Sequence, residues 1–193
     1  MVARLRTLSL CVAVMCTPFR AQAQPAAQDS APHFTVSGTS TVRNWSCPAD
    51  GGVAKVTPGK SAPAVPGFSG GLQSLTLTVP VKAIACEEEK MVEHLRTALK
   101  EKLNPDIVYQ LVQYTLTGPD SAATTGKITI AGVTRPVAFP VKLVSSPQGP
   151  RVSGETSIDL TQFAIAPPVI FEGLLKVGKD IRVRFDAVLP PSP

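Results

Sequence analysis

The chain has 193 residues, with 19 basic against 14 acidic side chains, two histidines and four cysteines. That length suits one domain of ordinary size, and a formal charge of +5 without a basic cluster interleaved with aromatics argues against nucleic-acid binding. No paired-carboxylate, His-rich or Cys–His constellation offers a basis for catalysis, so no catalytic residue, metal site or cofactor is assigned.

The first residues read as an export signal. Arg4 and Arg6 precede an apolar run from Leu8 to Phe19, too short to span a bilayer, and Ala21-Gln22-Ala23 supplies a small-x-small cleavage site. Leu10 before Cys11 and Met15 before Cys16 do not match a lipid-anchored precursor. Residues 1–23 are therefore expected to be a signal peptide, and the mature protein to be periplasmic or secreted with no transmembrane segment. Removing Arg4, Arg6 and Arg20 lowers the formal charge from +5 to +2. Of the cysteines, Cys47 and Cys86 remain, and an oxidising compartment favours one disulfide between them; two buried thiols are the alternative. Two cysteines alone make a poor zinc site.

Residues 24–32 lack periodicity and read as a flexible lead-in. Phe34, Val36, Gly38, Ser40 and Val42 then alternate with Thr35, Ser37, Thr39 and Thr41 in a first strand. Trp45, the only tryptophan, follows it as a core or rim anchor. From Pro48 to Pro66 the prolines predict a long connection, with only Val53 to Val56 strand-like. Gly67-Phe68-Ser69-Gly70-Gly71 matches G-x-S-x-G, but proline-rich loop precedes it and a strand follows. That is the wrong context for a nucleophile elbow.

Leu75 to Ala83 alternates as a strand. Glu87 to Leu103 reads as a helix, with acids at its start, lysines at its end and a Met91, Leu95, Ala98, Leu99 stripe along one face. His94 is placed on its surface. Ile107 to Thr117 carries apolar residues on both parities, so it is either covered on both faces or bulged. In Gly126 to Val144, Ile128 and Ile130 alternate with Lys127 and Thr129. Gly132 to Pro136 reads as a turn, and the apolar parity resumes at Val137, Phe139, Val141 and Leu143. Val152 to Ile158 is a weaker strand and Asp159 to Pro168 is irregular. Val169 to Val177 reads as a short strand before a Gly178-Lys179-Asp180 turn, and Ile181 to Leu189 is the last strand.

Several of these stretches together resemble the YceI-like family, named for binding lipids and polyisoprenoids. They are HLRTALKEKLNP followed by DIVYQL, then GKITIAGVTRPVAFPVKL, GETSIDLTQFAI and VGKDIRVRF. The resemblance covers residues 33–189, and departs at the Pro48 to Pro66 connection, at the Cys47 and Cys86 pair and at Asp159 to Val177. It implies a mainly β fold, an antiparallel lipocalin-like β-barrel of about eight strands with one helix packed against it. The lumen would hold a small apolar or amphiphilic ligand such as a polyisoprenoid or fatty amphiphile. By strand parity Ile128, Ile130, Phe139, Val141, Val183 and Phe185 should face that ligand, near the small residues Gly38 and Gly154. Opposing phenylalanines filling the same space are the alternative, since eight strands suit either case. The expected function is an exported lipid-binding protein, monomer or homodimer. The alternative is a non-carrier envelope domain acting through protein contacts or stress protection.

Overall fold

Residues 31–167, 169–170 and 175–190 are described in a computed structural model. The expected leader at 1–23 and nearly all of the lead-in at 24–32 lie outside them. Ten strands form: β1 (His33–Ser40), β2 (Asn44–Asp50), β3 (Val53–Pro58), β4 (Leu72–Pro80), β5 (Asp106–Gly118), β6 (Ser121–Ile130), β7 (Val133–Val144), β8 (Arg151–Asp159), β9 (Val169–Ile170) and β10 (Leu175–Val188). Nine run antiparallel in the order β2-β1-β10-β8-β7-β6-β5-β4-β3, and β9 pairs with β10. The two ends of this path, β2 and β3, are joined only by Gly51-Gly52, so the chain itself carries the curled sheet round the corner. Gly52 sits where β1 and β4 converge: a Cβ there would lie 3.0 Å from the Phe34 ring and 3.5 Å from the Thr78 carbonyl oxygen.

Several elements differ in extent from their expectation. The long connection contains β2, whose Cys47 and Ala49 are buried between exposed Ser46, Pro48 and Asp50. Pro48 is tolerated because β2 borders the sheet, where a missing N–H breaks no second ladder, and its carbonyl accepts from Ala85 N at 2.8 Å. The hairpin turn is only Ala131-Gly132, with φ of 49° and 83°. Two left-handed residues give the tight connection that matches strand twist, so Thr134 to Pro136 belong to β7. Gly178-Lys179-Asp180 is not a turn but lies inside β10, where a bulge opposes Ser40 to Val177 and Gly38 to Ile181.

Strand β5 resolves its two-sided pattern by bulging. Its register against β6 shifts between Leu111 and Gln113, leaving Val112 64% exposed and turning Tyr114 inward. The helix, α1 (Glu89–Ala98), is shorter than expected because Leu99 caps it and Lys100 takes a left-handed conformation (φ 56°). None of its ten residues is buried; its apolar stripe rests against the core only partly, with Leu99 just beyond as the buried anchor.

After β8 the chain makes a single 3₁₀ turn at Leu160–Phe163, which delivers Phe163 and Ile165 to the core. Asp159 caps it, accepting from Thr161 N at 2.9 Å, and receives Lys179 Nζ at 2.7 Å. The Lys179 ammonium first, and the Thr161 donors after it, hold the Asp159 carboxyl down to about 2. A depressed acid stabilises the fold fully above its unfolded value of about 4 and loses that contribution as pH falls through the folded value. Stability should therefore decline between about pH 4 and pH 2. Acid melts of Asp159→Asn beside the native protein should show a shallower decline in that window.

Candidate functional site

The inward faces of the strands enclose two adjoining apolar cavities, an outer one of about 290 Å³ and an inner one of about 120 Å³. Their walls follow the strands in step. On β10, Ile181 lines the outer cavity, Val183 both, and Phe185 and Ala187 the inner, with Leu189 just beyond the strand; on β6, Ile130 lines the outer, Ile128 both, and Thr124 and Ala122 the inner. The lumen is thus one tube with two compartments stacked along the strand direction.

Its ends differ chemically. At the outer end the lining includes Ser40 and Arg43 from the β1–β2 turn, and Glu88, Lys90 and His94 from the start of α1. The Arg43 guanidinium donates to the Glu88 carboxylate, tying the helix start to that turn. Close by, Cys47 of β2, fully buried, is disulfide-bonded to Cys86 just ahead of α1. Met91, Leu95 and Ala98 line this compartment, so the helix roofs the cavity. The inner end is apolar. Buried Val65 and Phe68, from the loop between β3 and β4, pack there with Val141, Leu143 and Leu189. The Tyr114 hydroxyl fastens that loop by donating to Pro63 O and accepting from Leu72 N at 3.0 Å.

Between the compartments lies Tyr109, which lines both. Its ring lies 5.4 Å from that of Phe139, and Phe139 lies 5.5 Å from Phe185 in an edge-on arrangement. The Tyr109 hydroxyl is buried beside Thr124 without completing a well-formed hydrogen bond, and Thr124 Oγ1 donates to Phe139 O at 2.7 Å. Burial pushes the phenol pKa up, and the nearby Thr124 hydroxyl opposes the shift.

Six of the residues expected to face a ligand line this lumen: Ile128 and Val183 both compartments, Ile130 the outer, and Phe139, Val141 and Phe185 the inner. Gly38 and Gly154 line neither. A Cβ at Gly38 would lie 2.5 Å from Trp45 Cζ2, and one at Gly154 2.7 Å from Phe185 Cζ and 2.9 Å from Pro140 O, so rings already occupy the space beside both. Gly154→Leu should accordingly overpack the wall and cost about 1–3 kcal/mol in urea denaturation. A variant as stable as the native protein would show that the Phe185 ring swings aside freely. Trp45 is an anchor that also lines the outer compartment, its Nε1 donating to Thr39 O at 3.3 Å. His94 is on the surface, as expected, but at the cavity mouth. That these charges share a mouth is not legible in the sequence, because Arg43 lies 45 positions before Glu88 and their proximity is tertiary.

Among the described residues, no group of three or more His, Cys, Asp or Glu could hold a metal ion, and no helix is long and apolar enough to cross a membrane. No curated protein is significantly similar in sequence. Burkholderia cenocepacia BcnA has a similar fold, with a TM-score of 0.65 at 15% identity over 80% of this chain and 94% of that one. A YceI protein of Campylobacter jejuni gives 0.59 at 17%, over 75% and 84%. A polyisoprenoid-binding domain from Saccharophagus degradans, implicated in plant cell wall breakdown, gives 0.58 at 11%, over 82% and 94%. At these identities the likeness is one of fold. The sequence of the YceI-like domain, however, matches residues 26–189, nearly the whole chain, and on that match the protein belongs to the YceI-like family.

Proposed function

We propose that this protein is an exported carrier that holds the chain of one isoprenoid or other amphiphilic lipid in the outer compartment, with the polar end of the lipid at the Arg43–His94 mouth. The observation that carries this reading is the segregation of polarity along the lumen: charged side chains at one end, hydrocarbon walls within, and an apolar lining at the other end. A cavity of about 290 Å³ lies at the lower edge of small-ligand pockets, which run from about 300 to 1,000 Å³. Each methylene moved from water into it is worth about 0.8 kcal/mol. The Saccharophagus degradans relative in fold, described as polyisoprenoid-binding, supports the ligand class. The Cys47–Cys86 bond and the leader-like residues 1–23 support an oxidising, exported location.

Native mass spectrometry of the protein taken from its own envelope tests this directly. The expected spectrum has a discrete mass excess that organic extraction removes, on a chain lacking residues 1–23. Protein that carries no lipid and takes up none from mixed envelope lipids would refute the carrier and favour a surface-acting envelope domain.

A further inference from the structure

On the long strands the inward side chains step from the outer to the inner compartment around one level: Leu77 on β4, Tyr109 on β5, Ile128 on β6 and Val183 on β10 line both, as do Phe34 on β1 and Ile158 on β8 within one inward position of it. Around that level the wall changes character. Above it the lining is mostly aliphatic; at it stands the Tyr109 ring, and just below, lining the inner compartment alone, stand Phe139 against Tyr109 and Phe185 against Phe139. We infer that these rings gauge the length of the chain the lumen accepts, stopping it just past Tyr109, where the outer compartment gives way to the inner. The inference rests on the carrier reading and adds to it the feature that selects among lipids.

Two observations support a stop rather than ordinary core filling. The first is the inner compartment itself. Protein cores pack with few voids, and rings that served only as filler would not leave an apolar space of about 120 Å³ next to them. The second is how the rings are seated. A Cβ on Gly126 would lie 2.4 Å from the Tyr109 ring, and one on Gly154 would lie 2.7 Å from Phe185. Tyr109 and Phe185 are thus each backed directly by the backbone of a neighbouring strand. Phe185 also packs against both the outer and the inner core groups, so the partition is braced from either side.

A homologous series of n-alkyl alcohols from decanol to docosanol, titrated calorimetrically into delipidated full-length protein, reads the gauge. In the native protein, Kd should tighten about fourfold per methylene until the chain meets the rings, and then level off. In Phe185→Ala and Phe139→Ala the tightening should continue to longer alcohols, because the two compartments merge. Leu95→Ala, in the roof, should weaken all lengths without moving the limit. Where an alanine variant does not fold, Phe185→Leu should give a smaller shift in the same direction. A limit that stays in place in the folded phenylalanine variants overturns the gauge and leaves the carrier standing. Failure of the native protein to bind any alcohol overturns both.

Discussion

Removing the Cys47–Cys86 bond should lower the stability of the folded protein by about 3–4 kcal/mol, the loop-closure entropy of a cross-link spanning roughly 40 residues. The two cysteines are 39 positions apart, and between them lie β3, the proline-rich loop that packs at the inner end, and β4. The unfolded chain therefore gains freedom over a stretch that includes much of the lumen wall. The loss should also reach the site. Since α1 buries none of its residues, it is held at its start by Cys86 and the Arg43–Glu88 pair and at its end by buried Leu99. Loosening the start should raise the roof and weaken lipid retention as well as stability. Urea denaturation of the native protein beside Cys47→Ala/Cys86→Ala would measure the first effect. A difference under about 1 kcal/mol would mean that the Ala85–Pro48 hydrogen bond and the Ala49–Ile84 bridge suffice to hold the segment.

Strand parity was legible in the residues because a two-residue period is local. Ile128 and Ile130, Phe139 and Val141, and Val183 and Phe185 could each be assigned a face from neighbours in sequence, and those assignments agree with the lumen walls. Depth was not legible. Whether Val183 lines the outer compartment, the inner or both depends on the register between strands, which no single strand encodes. The same limit explains Gly38 and Gly154. Each lies beside a ring from a neighbouring strand, Trp45 on β2 and Phe185 on β10, and only pairing brings glycine and ring together. Strand β2 was hidden because Pro48 and Asp50 read as loop chemistry, although Cys47 and Ala49 carried a short alternation. The helix stripe was visible too, but a stripe against a packed wall and a stripe over a cavity have the same spacing.

That last ambiguity makes Ala98 the position where filling the lumen should separate function from folding. Ala98 sits in the final turn of α1, half-buried, and lines the outer compartment together with Leu95 and Leu99. Ala98→Phe would place a ring in the space proposed for the lipid, displacing at least about three methylenes. At about 0.8 kcal/mol each, their loss should weaken binding by about sixtyfold. The ligand-free protein should not suffer equally, because burying an aromatic side chain in an open apolar cavity gains about 1.5–3 kcal/mol instead of straining a filled core. The expected result is therefore a variant with an unchanged or raised melting temperature that no longer retains lipid from its envelope. In a barrel whose lumen served only as packing, the ring would have no room and would destabilise by about 1–3 kcal/mol, like Gly154→Leu. Thermal denaturation and lipid mass excess, measured on the same preparation, distinguish the two: lower stability with lipid still bound would mean that the outer compartment is not where the chain lies.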